Sequence, residues 1–167
     1  TNIKRLLAYS SINNVGFALV GLAAGTAAGV SSVLFYMTIY VVMTIGAFLC
    51  VLWMRDADGN PVEDIHSLGG LSERRPAYAW AFTFFMFSLA GVPPLLGFWP
   101  KLLVFNAAVD AGLMLFAVAG ILGAVIGAYY YLKIVKIMFF DEAVAPFAKV
   151  RQPVQGALIA IAAIVVS

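Results

Sequence analysis

One lysine stands where a charge is hard to place. Lys101 is the only charged residue between Ala77 and Val109, a long apolar stretch of the 167-residue chain. An ammonium at the centre of a bilayer costs ~2.5–3.5 kcal/mol on insertion scales. A leucine would carry no such cost, so the position implies use of the charge. Desolvation disfavours the charged form of an amine, which makes a buried ammonium a group that can give up and take back a proton. Two simpler roles compete with this one: snorkelling of the side chain to an interface, and pairing with a neighbour in a membrane scaffold. Lys101 precedes Val109 by eight residues and follows a Pro-Pro pair closely. A turn or two of helix therefore separates it from either landmark, which is a poor position for snorkelling.

The elements around it follow from composition. Hydrophobic residues make up 63% of the chain and charged residues 11%, whereas a soluble domain is about half apolar and a quarter charged. The fold class expected is an all-α membrane protein, a polytopic bundle of transmembrane helices with one of them discontinuous. Apolar segments run over about 6–24, 31–54, 77–109, 112–140 and 154–167, all in a single membrane domain. The third is too long for one straight crossing, since thirty-odd residues at ~1.5 Å each would span about 50 Å. It contains Gly91, Pro93, Pro94 and Gly97, and prolines remove backbone donors and disfavour helix just before them. Two half-helices joined by a break within the membrane are expected, because irregular backbone is tolerated there only beside protein or a water-filled cavity. Pro100 then falls in the first turn of the second half, which suits proline. The chain begins without methionine and its final apolar run is shorter than the ~20 residues a crossing needs, so an internal piece of a longer protein is expected.

Charge placement sets the topology. If each segment crosses once, Lys4, Arg5, Arg55, Arg74, Arg75, Lys133, Lys136, Lys149 and Arg151 share one side. The opposite loops carry no basic residue, and the tenth cation is Lys101. By the positive-inside rule the charged side is cytoplasmic, or matrix-facing in a mitochondrion. A formal net charge of +2 is too small to imply a nucleic-acid partner; the lipid bilayer is the partner that composition demands.

Other residues are secondary. Tyr40 and Thr44 share a face of the second helix, and Ser10, Ser11, Asn13 and Asn14 polarise the first. Each is a group that can hold water in a hydrated path or bond to a neighbouring helix. Tyr129, Tyr130, Tyr131 and Lys133 read as interface anchors. Gly120, Gly123 and Gly127 form a small-residue stripe for close helix packing. Cys50 has no partner cysteine and reads as a small apolar residue. His66, near Glu63 and Asp64, lacks a second histidine or cysteine at ligand spacing, so no metal site is expected. No phosphate loop, nucleophile–base set or heme motif occurs.

Two stretches resemble a known family. Lys4-Arg-Leu-Leu-Ala-Tyr-Ser-Ser-Ile12 followed by Gly16, and Ser88-Leu-Ala-Gly-Val-Pro-Pro-Leu-Leu-Gly-Phe-Trp-Pro-Lys101, resemble the antiporter-like membrane subunits of respiratory complex I. Order and intervening spans match over essentially the whole chain. The resemblance implies a fold of fourteen helices with two inverted five-helix repeats, each holding a broken helix. This chain would supply the tenth to thirteenth helices and the start of the last, as most of the second inverted repeat. It also implies that Lys101 is the terminal lysine of a proton-translocating half-channel and Lys4 a basic residue on the central hydrophilic axis. Some relatives have histidines and a lysine where Tyr40 and Thr44 stand, and others have a glutamate at the place of Lys101. Pro100 departs from the small residue usual there.

The implied activity is proton pumping coupled to NADH–quinone electron transfer in other subunits of a translocase. No redox site or cofactor is expected in this chain; NADH, FMN, iron–sulfur clusters and quinone belong by implication to partner subunits. The implied partners are the other membrane subunits of complex I, in a bacterial inner membrane rather than a mitochondrial one. The alternative with the same fold is an antiporter subunit of a multisubunit sodium/proton exchanger, or a membrane subunit of a related hydrogenase.

Overall fold

A computed structural model describes residues 2–56, 58–143 and 153–166. Lys149 and Arg151, which the charge census places on the basic side, and Ser167, the last residue of the fifth segment, lie outside the described residues.

Helices account for the architecture. They are α1 (Ile3–Ala23), α2 (Ala27–Trp53), the one-turn α3 (Leu71–Arg74), α4 (Pro76–Ala90), α5 (Phe98–Asp110), α6 (Met114–Phe140) and α7 (Pro153–Val166). A 3-10 turn at Ile65–Leu68 precedes α3. Helix bounds differ from the apolar runs where caps intervene. α1 starts at Ile3, ahead of the apolar run at Leu6, because the Asn2 side chain accepts a hydrogen bond from the Arg5 amide at 3.0 Å. α2 starts at Ala27 because Thr26 accepts likewise from Gly29. Proline occupies the first position of α4. Helices α1, α2 and α6 are long and apolar enough to cross a membrane.

α2 is the axis of the bundle, packing against α1, α4, α5 and α7. Tyr36, Met43, Ala47 and Cys50 on α2 meet Phe82, Phe85 and Met86 from α4 in a core closed by Ile134, Ile137 and Met138 of α6. α6 buries little else: Leu115, Leu122, Val125 and Ile126 are exposed. Such a surface is stable against hydrocarbon or further helices, not against water.

The charged loops gather at one end. Lys4 pairs with Glu63 at 2.7 Å, and the Ile3 amide donates to the Glu63 carbonyl at 2.7 Å. Gly69 and Gly70 pack against Glu142 and Ala143 beyond α6. Lys136 and Asp141 form an ion pair of 2.5 Å there. His66 is exposed at this end.

Polar groups bind the helices where they meet. The Tyr36 hydroxyl donates to Asn14 Oδ1 at 2.7 Å. Asn14 Nδ2 faces the Ser10 carbonyl at 2.9 Å, Ser10 Oγ at 3.2 Å and the Tyr131 hydroxyl at 3.3 Å. Ser10 and Tyr131 hydrogen-bond to each other. This corrects one expectation: Tyr129 and Tyr130 face outward, but Tyr131 is 2% exposed and belongs to the core. Successive helical residues point about 100° apart, so three consecutive tyrosines cannot share one environment. The glycine stripe of α6 meets Asn13, whose amide donates to the Gly123 carbonyl at 3.2 Å.

Replacing Asn14 by leucine should leave the Tyr36 hydroxyl without its acceptor and lower unfolding free energy by about 1–3 kcal/mol. Asn13→Ala should cost less, since it removes one peripheral bond. Reversible unfolding in mixed micelles measures both; equal effects would show that the Asn14 network adds nothing beyond packing.

Candidate functional site

The break between α4 and α5 is built by its prolines. In an unbroken helix the carbonyl of Leu89 would accept from residue 93 and that of Ala90 from residue 94. Both positions are proline, with no N–H to give. α4 therefore stops. Gly91 adopts φ 85°, and its amide turns back to the carbonyls of Phe87 and Ser88, followed by Val92 to Phe87 at 3.0 Å. Pro93–Pro94 is a cis peptide.

Lys101 takes the place of the missing donor. Its ammonium donates to the Leu89 carbonyl at 2.5 Å, reaching back from the first turn of α5. The side chain is 6% exposed and its Nζ lies 5.2 Å from the centroid of the Phe17 ring, a contact that favours a cation. Among the described residues no carboxylate lies within ion-pair distance of it. A proton can leave this nitrogen without stranding a buried anion.

The two half-helices are clamped together nearby. The Gly97 amide donates to Ser88 Oγ at 3.0 Å, and that hydroxyl faces Met43 Sδ at 3.0 Å. A Cβ at position 97 would collide with the Ser88 carbonyl, so only glycine permits this approach. At Gly91 a Cβ would sit 3.2 Å from Lys101 Cδ. α4 measures roughly 22 Å from the charged end, and Lys101 lies about 14 Å of helix from Asp110 at the other. The site is thus at mid-bundle.

Two cavities flank α1, and the smaller reaches the break through Leu89. A small one of about 10 Å³ is lined by Ser10, Ser11, Tyr40, Thr44 and Leu89, among others. An open cleft of about 680 Å³ runs between α1 and α6, with Arg5 and Lys133 lining it as well as Ser10, Asn13 and Tyr131. Ser10 borders both.

Of the residues singled out in sequence, Lys101, Gly91, Pro93, Pro94 and Gly97 share the break, and Tyr40, Thr44 and Ser10 share the small cavity beside it. Lys4 does not join them: it sits with Glu63 in the first turn of α1, about 20 Å of helix from Phe17. Thr38, a further hydroxyl on α2, is exposed and back-bonds to Leu34. Carbonyls freed at the end of the first half-helix are an expected partner of the ammonium; sequence reasoning did not single out Leu89 among them and missed Phe17. For Leu89 a signal existed, because a proline four residues on leaves a carbonyl free.

The family model described as NADH:quinone oxidoreductase/Mrp antiporter, transmembrane, matches residues 1–127. The chain belongs to this family. A protein of Rhizorhabdus wittichii named NADH-quinone oxidoreductase subunit N is 61% identical, covering 100% of this chain and 35% of its own length. A chain of respiratory complex I from Thermus thermophilus with bound aureothin superposes with a TM-score of 0.85 at 32% identity, over 99% of this chain and 37% of that one. A chain of the Mrp complex from Dietzia sp. DQ12-45-1b gives 0.71 at 28% identity, over 83% of this chain and 26% of that one. The chain spans about a third of the length of the curated relatives it matches. Membership makes the fold that of an antiporter-like, multi-pass membrane protein.

Two outcomes follow from the geometry. Gly91→Ala should destabilise the protein by about 1–3 kcal/mol through its left-handed backbone alone, read as a lower thermal midpoint in detergent. At the charged end, the Lys4 ammonium and then the Asn2 amide hold the Glu63 carboxyl below its ordinary range. A depressed carboxyl stabilises the fold above its unfolded pKa, and the contribution disappears as pH falls through the lower folded value. Protection of the Ile3 amide from exchange should therefore weaken as pH falls below the ordinary carboxyl range, and Glu63→Gln should remove that pH dependence.

Proposed function

We propose that this chain is part of a proton-translocating membrane subunit of an NADH:quinone oxidoreductase, with Lys101 as a residue that accepts and releases the transported proton. The observation that carries this reading is the ammonium at mid-bundle, held by a carbonyl and an aromatic face rather than by a counter-ion. Such a hold is strong enough to bury the cation and still permits the neutral amine. The relative from R. wittichii bears the name of an oxidoreductase subunit, and this supports coupling to NADH–quinone electron transfer carried out elsewhere in a complex.

In this reading α1, α2, the broken pair α4–α5 and α6 each cross a bacterial inner membrane once. α7 begins a further crossing, and the charged loops face the cytoplasm. Lys4, tied to Glu63, sits at the cytoplasmic surface of the path. The other membrane subunits of the complex are the partners. A second reading, an antiporter subunit of an Mrp-type exchanger, draws on the fold shared with the Dietzia chain. The break alone does not separate the two, because both would use it.

The test uses the full-length subunit in its assembled complex. Lys101→Ala should reduce proton pumping per NADH oxidised sharply, and Lys101→Arg should fail to restore it fully, because arginine barely deprotonates. Normal pumping by an assembled Lys101→Ala complex would overturn the relay assignment. Sodium-dependent transport without NADH oxidation would select the antiporter reading.

A further inference from the structure

An apolar wall beside Lys101 needs no aromatic ring, yet Phe17 provides one. The ring lies on α1, 2% exposed, and the Lys101 ammonium stands 5.2 Å from its centroid. An ammonium carries three donors. Among the described residues it has one hydrogen-bond acceptor, the Leu89 carbonyl at 2.5 Å. The bare backbone of Gly91 closes in on another side, where a Cβ would come within 3.4 Å of the nitrogen. The Phe17 ring supplies a further attraction. The face of a ring is electrostatically negative and draws a cation without accepting a conventional hydrogen bond.

Two other rings hold this one in place. Phe17 meets Tyr36 with centroids 6.3 Å apart and planes at 81°, and Phe105 at 5.7 Å and 80°. Tyr36 is anchored by its hydroxyl on Asn14, which is three residues before Phe17 and on the same face of α1. Phe105 stands four residues after Lys101, on the same face of α5. Its ring edge rests against Gly120 of α6, where a Cβ would lie 2.6 Å from Phe105 Cε1. Tyr36 already gives one face to Tyr40, their planes 7° apart. Among the described residues, Phe17 is the ring that meets the cation.

We infer that Phe17 is a positioning residue for Lys101: its ring face, fixed by Tyr36 and Phe105, holds the ammonium against the Leu89 carbonyl. The consequence for transport rests on the relay role proposed above; the ring–ammonium contact does not. The attraction acts on the cation and is lost by the neutral amine, which keeps only apolar contact with the ring. Phe17 therefore steadies the protonated lysine in one pose and leaves no unpaired charge when the proton departs. Because the rings belong to α1, α2 and α5, that pose depends on how these helices meet. Gly120, by admitting the edge of Phe105, ties it to α6 as well.

The experiment replaces Phe17, in the full-length subunit of the assembled complex, by mono-, di- and trifluorinated phenylalanine. Fluorine withdraws charge from the ring face and barely alters its shape, so packing is kept while the attraction for a cation fades. Proton pumping per NADH oxidised should fall stepwise along the series, several-fold at the trifluorinated ring, with the thermal midpoint unchanged. Phe17→Leu, which fills space without a ring, should fall as far as the trifluorinated variant. A density map of the trifluorinated complex should show the Lys101 ammonium withdrawn from the ring. Undiminished pumping across the series, in a complex where Lys101→Ala abolishes it, overturns the role of Phe17 and leaves the relay standing. Pumping that survives Lys101→Ala refutes the relay instead. The pose of the lysine then decides, and an ammonium unmoved over the trifluorinated ring overturns the inference.

Discussion

The hydrogen bond from Lys101 to the Leu89 carbonyl is the interaction on which the rest of the arrangement depends. Neither partner is stable alone at that depth. A carbonyl without a donor and an ammonium without an acceptor each carry a desolvation penalty when buried. The Pro93–Pro94 pair creates the first problem by withholding two amides, and Lys101 answers it with the second. What would be two defects in an ordinary helix becomes one neutral-acceptor site for a cation. Because the acceptor is a carbonyl and not a carboxylate, loss of the proton leaves a neutral amine as a weaker donor, and no unpaired charge.

The surrounding structure serves that pairing. Gly91 turns the chain out of α4, and the contact of Gly97 with Ser88 brings α5 close enough for the lysine to reach back one break's width. α2 supplies the wall, with Met43 against Ser88 and the stacked rings of Tyr36 and Tyr40, 6.0 Å apart, alongside. The Asn14 network ties α1 to both α2 and α6, which fixes Ser10 between cavity and cleft. At the charged end Glu63 fastens the long α2–α4 loop to the start of α1. That contact is distant from the lysine, and it sets the register of the helix carrying Phe17 and Ser10.

The broken helix and its buried lysine were legible in sequence because both are departures from a simple rule. An apolar run too long to cross once, interrupted by Pro-Pro and bearing one charge, has few explanations. Tyr40 and Thr44 were legible as a helix face by their spacing. The acceptor of Lys101 was harder to see, since it is backbone and has no residue type to give it away; only the spacing from Leu89 to Pro93 encodes it. Lys4 and Glu63 are separated by fifty-nine positions, and no local pattern joins them. Tyr131 was misread because it stands in a row of three tyrosines, where composition points outward and only helical phase points in. The short turns at Ile65–Leu68 and Leu71–Arg74 lie in a polar loop whose pattern carries no helical period.

If Lys101 carries the transported proton, its bond to the Leu89 carbonyl weakens each time the proton leaves and strengthens when it returns. Infrared difference spectroscopy on the assembled complex, with a heavy-carbon label at the Leu89 carbonyl, observes that bond directly. Between the resting and turning-over complex the labelled carbonyl should shift, as its donor changes from ammonium to amine, and the shift should vanish in Lys101→Met. A labelled band that stays fixed during pumping would contradict the account.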